Sequence, residues 1–270
     1  MRGERTMTDK NWVYKTPTEV GYYKVITPEN SELQYISYHR LIISPGDKIS
    51  LESKKQEICI LFLQGEGKVT VEEESEELTE KDGVYIPCQS AFTVQNKGRK
   101  TLDCVLALAP SNKNTKPVFI SFQEVNSDFE RHKVVGKGIY QRDVYPMVGP
   151  QIEASRLLVG YTIGRPGQWT SWPPHEHSNT QEEIYLYYGV SKEAFSIQLV
   201  YTTPEKMQVC QPVHSGDAVA IPRGYHPTVS IPGYGSTYIW MIAAKDPSKD
   251  RRIDVARTQP EFVKQGTAVF

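Results

Sequence analysis

The sequence has no stretch approaching the roughly 18 consecutive apolar residues that a membrane helix needs, and none of the charge bias that attracts nucleic acid or an anionic membrane. Across 270 residues, 31 Lys and Arg face 32 Asp and Glu, a formal charge of -1. The expected partner is therefore a small molecule. Cysteine is scarce: Cys59, Cys88, Cys104 and Cys210 stand apart and form no CxxC pair. Cys59 and Cys104 fall in the apolar runs ICILFL and LDCVLALA, where a buried thiol behaves as a small hydrophobe. Reduced, structural cysteines fit a cytoplasmic protein. The opening MRGERTMTDKNW carries charge with no apolar run behind it, so it does not read as a secretory signal. Helical periodicity is rare as well. DVARTQPEFVKQ near the end is the one modest candidate, and Pro260 interrupts it.

What the sequence does contain is strands. EICILFL (57–63), KVTVE (68–72), GVYIP (83–87) and TLDCVLALA (101–109) are rich in β-branched and aromatic residues and bounded by turn formers. RLLVGYTI (156–163), EEIYLYY (182–188), FSIQLVYT (195–202), DAVAIP (217–222) and STYIWMIAA (236–244) form a second series. The two series repeat one another. Each has a Glu-led apolar strand, a Gly turn, a further strand, and a Gly-Asp or Asp-Gly turn into a strand that ends in Ile-Pro. The pattern predicts an all-β protein of two tandem antiparallel barrels. Their expected bounds are 1–115 and 153–270, with 116–152 as the connection. The acidic run EEESEELTEK (72–81) reads as a solvated hairpin loop, since it lacks the spaced Asp/Asn and Gly of a calcium loop.

Histidine is sparse, six in 270, yet two of the six stand in Pro173-Pro174-His175-Glu176-His177. On an extended segment, residues two apart share a face, so both imidazoles point the same way. Glu182 and Glu183 follow at the head of a strand, and His226 follows the GDAVAIP strand in Pro222-Arg223-Gly224-Tyr225-His226. Three imidazoles and one carboxylate make a divalent-metal site for zinc, iron, manganese, nickel or cobalt. His39, His132 and His214 read as surface or hydrogen-bonded residues.

The His-x-His, Glu and Gly-x5-Pro-x-Gly-x-His patterns resemble the two metal-binding motifs of the cupin superfamily. KKQEICI, SWPPHEH, EEIYLYY and VAIPRGYHP are similar to the 5-deoxy-glucuronate isomerases, which share a family with the 5-keto-4-deoxyuronate isomerases. The similarity runs over roughly residues 15 to 260. The resemblance implies a bicupin of jelly-roll barrels and a single divalent transition metal, zinc foremost. It implies aldose–ketose interconversion without nicotinamide or flavin, from 5-deoxy-D-glucuronate to 2-deoxy-5-keto-D-gluconate in myo-inositol catabolism. The alternatives are the 5-keto-4-deoxyuronate reaction and, from another class, an iron cupin dioxygenase.

Either Glu182 or Glu183 can be the carboxylate ligand. With Glu183, Tyr185 and Tyr187 share the metal face, and a sugar site needs such hydrogen-bonding walls; Glu183 is therefore the expected ligand. Glu182, Tyr185 and Tyr187 are the candidate catalytic groups, with Tyr225 beside His226. A uronate carboxylate needs a cation, for which Arg142, Arg165 and Arg223 are the candidates. In the first half Glu57 stands in the position expected to match Glu183, but no histidines accompany it, so that barrel reads as metal-free. A uronate substrate, a homo-oligomer, and neither nucleic acid nor membrane complete the expected partners.

Overall fold

The computed structural model describes residues 12–266, so all but the last residue of the opening MRGERTMTDKNW segment lies outside the described residues. The chain folds as four β-layers. A six-stranded sheet runs in the order Val118–Ile120, Gly83–Ile86, Gln56–Gln64, Leu102–Pro110, Ser37–Ile43, Gly21–Ile26. Against it packs a four-stranded sheet of Lys48–Glu52, Ala91–Asn96, Gly67–Val71 and Glu74–Leu78. The second half repeats the plan. Its seven-stranded sheet runs Val13–Lys15, Asp217–Ile221, Gln181–Tyr187, Thr237–Ala244, Leu157–Gly164, Arg142–Val148, Lys133–Val135. Its small sheet comprises Trp169–Thr170, Thr228–Ser230, Ser196–Tyr201 and Met207–Val213.

The all-β expectation holds, but the tandem barrels do not close: among the described residues each half is a pair of open sheets. One edge strand crosses between the halves: Val13–Lys15 completes the large sheet of the second half, while Val118–Ile120 closes the edge of the first. Arg142–Val148, within the stretch read as a connection, is a full strand of the second sheet.

Side-chain alternation sorts the apolar residues into three cores. Leu41, Ile58, Phe62, Val69 and Phe92 fill the first half. Leu158, Tyr185, Tyr187, Val200, Val219 and Trp240 fill the second. Between the two large sheets, Cys59, Leu61, Val105 and Ala107 meet Val159, Ile184, Leu186 and Ile239. The inner strands of the large sheets are thus buried on both faces, which is why they read as continuous apolar runs. Cys59, Cys88 and Cys104 are buried and unpaired, Cys210 is exposed and unpaired, and burial pushes the Cys59 thiol up. No helix among the described residues is long and apolar enough to cross a membrane.

Two local expectations are corrected. The acidic run is a two-residue turn followed by the edge strand Glu74–Leu78, with four exposed residues before Leu78. Its charges cover a free sheet edge, where they discourage pairing with another chain. Pro260 does not interrupt a helix but starts one, at the first position of the 3-10 turn Pro260–Gln265, where a missing N–H costs nothing.

The register corrects a third. Ile58 pairs with Ile86, and Glu183 pairs with Ile221. The residue matching Glu183 is therefore Ile58, and Glu57 matches Glu182. Both of those carboxylates are buried at the junction of the halves. Glu57 accepts from the backbone N–H groups of Ser155 (2.6 Å), Arg156 (2.5 Å) and Leu157 (2.8 Å), and from the Tyr85 hydroxyl (2.8 Å). Glu182 accepts from those of Gln34 (2.9 Å), Tyr35 (2.8 Å) and Ile36 (3.5 Å). Each half thus grips three residues at the entrance to an inner strand of the other. Charge-assisted bonds of this kind are the strong ones, and a buried anion needs them.

Replacing either carboxylate by an amide keeps the size but turns an NH2 donor toward backbone donors. Glu57→Gln and Glu182→Gln are each expected to lose about 1–3 kcal/mol of stability, read as a lower midpoint in thermal or denaturant unfolding. Unchanged midpoints in both variants would contradict the role of the clamps.

Candidate metal centre

The strand Gln181–Tyr187 carries the junction on one face and the site on the other. Glu182, Ile184 and Leu186 point toward the first half, whereas Glu183, Tyr185 and Tyr187 point into the second-half core. Glu183 is the carboxylate of a buried cluster with His177 and His226, whose ligand atoms lie within 4.8 Å of one another. Its Oε2 is 3.0 Å from His177 Nε2 and 3.2 Å from His226 Nε2.

His226 shows what the cluster is built for. Its Nδ1 lies 2.9 Å from the Gly224 carbonyl oxygen. A carbonyl only accepts, so Nδ1 carries the proton and the neutral ring has its lone pair on Nε2. That Nε2 is buried and makes no hydrogen bond, although a carboxylate oxygen is close. Two lone pairs at that distance, away from water, repel unless a cation stands between them. Imidazole nitrogens with one carboxylate suit a divalent transition metal, and an Nδ1–H held by a carbonyl is the outer-shell partner such a ligand uses. Gly224 is required for this turn: its φ is +95°, and a Cβ there would lie 2.7 Å from the Tyr201 carbonyl oxygen.

His175 stands beside the cluster without joining its tightest group. Its ring centroid is 4.7 Å from that of His226 and 6.4 Å from that of His177. Its Nδ1 donates to the Pro173 carbonyl at 3.2 Å, which leaves Nε2 as the donor atom. The segment His175–Glu176 pairs with Arg257–Thr258, so a C-terminal strap holds the histidines extended. Burial and the two neighbouring imidazoles keep His175 neutral, well below its ordinary pKa. Burial works against ionisation of Glu183, but the hydrogen bond from His177 and the closeness of both imidazoles outweigh it and hold the carboxyl below the usual carboxylate range.

A pocket opens on the cluster. Arg142, Thr162, Ser171, Gln181, Tyr185 and Tyr238 give it a polar lining, and Val144, Trp240, Ile242, Ile253 and Ala256 an apolar one. Arg142 is 3% exposed and donates to the Trp172 carbonyl at 2.8 Å. The Tyr185 hydroxyl donates to Ser171 Oγ at 3.2 Å. Burial first, and then the Glu183 charge, raises the Tyr185 phenol well above its ordinary value. Burial likewise raises Tyr238. Both phenols stay protonated at neutral pH and keep an O–H to donate.

The other expected site residues lie elsewhere. Glu182 does not reach the pocket, because its carboxylate is committed to the amides of residues 34–36. Tyr187 shares the Glu183 face, but its hydroxyl is bound to Gln198 and to Thr228 (2.9 Å) inside the core. Tyr225 packs at a tilt against Tyr201, outside the pocket lining. Arg165 is exposed in a turn, and Arg223 pairs with Glu32 at 2.6 Å over the Trp12 ring. The three remaining histidines find other partners: His39 binds the Tyr22 hydroxyl, His132 pairs with Asp143 and His214 lies near Asp217. Tyr238, Trp240 and Ile242 were not anticipated, though their alternation in TYIWMIAA marks one face. Ser171 and Thr162 carry no sequence signal. In the first half, Ile58 and Phe92 pack in the apolar core, and no group among the described residues there matches the cluster.

Comparison with known proteins places this geometry. The sequence profile of the KduI/IolB family matches residues 12–261. A 5-deoxy-glucuronate isomerase of Geobacillus kaustophilus (strain HTA426) is 29% identical over 246 residues, covering 84% of this chain and 86% of the relative. A 5-deoxy-glucuronate isomerase of Halalkalibacterium halodurans is 30% identical over 237 residues, covering 81% and 85%. Among solved structures, an IolB-like protein from Salmonella typhimurium LT2 matches with a TM-score of 0.81 at 24% identity, over 95% of this chain and 100% of that one. A mutant of Bacillus subtilis oxalate decarboxylase matches at 0.65 with 14% identity, over 96% and 84%. At these identities the structures speak for a shared cupin-like fold alone. The profile spans nearly every described residue and takes in all the ligand candidates, and on that match this chain belongs to the KduI/IolB family.

Proposed function

We propose that this chain is a metal-dependent aldose–ketose isomerase that converts 5-deoxy-D-glucuronate to 2-deoxy-5-keto-D-gluconate in myo-inositol catabolism. The observation that carries the reading is the buried His226 Nε2, without a hydrogen bond and facing Glu183, in a chain whose relatives are 5-deoxy-glucuronate isomerases. The two halves are read as cupin modules in tandem, of which the second keeps the ligands. His177, Glu183 and His226 would hold the metal with His175 as the fourth ligand. Zinc is the first choice, with iron, manganese, nickel or cobalt as alternatives. The bound cation would polarise the substrate carbonyl and its neighbouring hydroxyl. The exchange is redox-neutral, so no nicotinamide or flavin takes part.

The chain's own groups divide the remaining work. Arg142 is the one candidate cation that lines the pocket, and its planar fork suits the substrate carboxylate. Tyr185 and Tyr238 keep their protons and donate hydrogen bonds to oxygens that gain charge during the reaction. Ser171 orients Tyr185. Ile253 and Ala256, on the strap, keep water from one side of the pocket. The balanced charge and unpaired cysteines support a cytoplasmic protein, and a homo-oligomer without nucleic acid or membrane partners is the assembly we propose.

Elemental analysis of the purified protein is expected to find about one transition metal ion per chain. His226→Ala and Glu183→Gln are expected to lose it, whereas Glu182→Gln retains it. Full metal content in the first two variants would contradict the ligand assignment. Activity has its own check. Under anaerobic conditions, NMR is expected to show 5-deoxy-D-glucuronate converted with no added cofactor. His177→Ala should lower kcat at least ~100-fold, about 2.7 kcal/mol, and Arg142→Gln should act mainly on KM, raising it ~10-fold or more. Turnover of 5-keto-4-deoxyuronate alone would move the assignment to the other branch of the family. Oxygen consumption without isomerisation would replace it with a dioxygenase.

A further inference from the structure

The inner face of the seven-stranded sheet is a grid in which paired residues form rows. Glu183 and Ile242 share one row, and Tyr185, Trp240 and Gly160 the next. Tyr187, Tyr238, Thr162 and Val144 make the third, and Gly164 and Arg142 belong to the fourth. A line that moves one strand and one row at a time therefore runs Glu183, Trp240, Thr162, Arg142. All four line the pocket, and Thr162 has the one hydroxyl among them. A Cβ at Gly160 would lie 2.4 Å from Trp240 Cζ2, and one at Gly164 2.4 Å from Thr170 Cγ2. Neighbouring strands fill both spaces, so Thr162 is the only inner-face side chain its own strand presents between residues 160 and 164. Tyr238 stands beside it. Burial raises this phenol, and the nearby Arg142 charge and Thr162 hydroxyl check the rise. At 3% and 2% exposure, Thr162 and Tyr238 are nearly sealed from water.

We propose that Thr162, with Tyr238 beside it, is a specificity residue that binds the substrate hydroxyl nearest the carboxylate. The inference rests on the isomerase reading. A uronate with its carboxylate on Arg142 and its carbonyl end at His177, Glu183 and His226 lays its middle carbons along this line. In 5-deoxy-D-glucuronate C5 is a methylene, so the hydroxyl nearest the carboxylate is the one on C4. The Thr162 hydroxyl accepts as well as donates, and Tyr238 keeps its proton. Together they can meet both the O–H and a lone pair of that group. A uronate with a methylene at C4 would leave the two buried hydroxyls facing carbon, and unmet buried polar groups cost binding.

The test compares kcat/KM for 5-deoxy-D-glucuronate and for its 4,5-dideoxy analogue, which lacks only that hydroxyl. It uses the native enzyme, Thr162→Val and Tyr238→Phe, each first shown to be folded by its melting curve and to carry its metal. A site built to bond a substrate hydroxyl rejects the analogue without it, and a native preference of at least ~100-fold is expected. Thr162→Val keeps the shape and removes the partner. It should narrow the preference at least ~10-fold, by weakening the 5-deoxy substrate far more than the analogue. Comparing the preference between proteins cancels any difference between the two free sugars. Tyr238→Phe should narrow it as well, and decides the matter if the valine variant does not fold. Equal losses on both substrates in the folded variants, or a native enzyme that does not distinguish them, overturn the inference alone. No turnover of 5-deoxy-D-glucuronate by the native enzyme overturns the isomerase reading and this inference with it.

Discussion

Two buried carboxylates tie the halves of this protein together, and the rest of the structure is arranged around that constraint. Neither Glu57 nor Glu182 can sit in the apolar layer between the large sheets unless its charge is met. Each is met by three successive backbone amides of the other half, at residues 155–157 and 34–36. The exchange fixes the chain where it enters Ser37–Ile43 and Leu157–Gly164, the strands flanking the central pair in each large sheet. Around it, Arg156 donates to the Pro110, Ala244 and Lys245 carbonyls, and its guanidinium lies 4.7 Å from the Tyr35 ring centroid. A crossing edge strand reinforces the same dependence: the seven-stranded sheet takes Val13–Lys15 from the first half of the sequence.

The metal cluster is a consequence of the next residue. Strand alternation turns Glu183 away from the junction that holds Glu182, so the clamp and the ligand are set by one backbone. A strand gripped at Glu182 cannot rotate or slip without moving Glu183, which gives the ligand the rigid support that metal sites require. The first half shows the same frame without the chemistry. It keeps the clamp residue Glu57, but Ile58 and Phe92 occupy its interior as hydrocarbon. One repeated scaffold thus provides a packed half and a half with a pocket.

Much of this was legible in the sequence, and the residues show why. His175 and His177 could be read because period two is a local rule, and the repeat of Glu-led strands and Ile-Pro turns announced the paired halves. The role of Glu182 could not be read, because it depends on amides 146 to 148 residues away in sequence. Matching Glu57 to Glu183 failed for a related reason: without the cross-strand register to Ile86 and Ile221, a shift of one residue is invisible, and one residue reverses the face. Proximity in sequence misled for the arginines. Arg165 and Arg223 flank the motifs but sit in turns that face outward, while Arg142 reaches the pocket from a stretch read as connection. Tyr187 has the right face but lies one step further along the strand, where Gln198 and Thr228 take its hydroxyl.

The central claim is that the reciprocal carboxylate clamps order the junction on which the site stands. Hydrogen exchange at six amides tests it most directly: Gln34, Tyr35 and Ile36 on one side, and Ser155, Arg156 and Leu157 on the other. In the native protein all six are expected to exchange at least ~1,000-fold more slowly than an unstructured chain, with the slow, cooperative units of the core. In Glu182→Gln the first three should lose protection before the second three do. Rapid exchange of these amides in the native protein, or equal protection of both sets in the variant, would contradict the account.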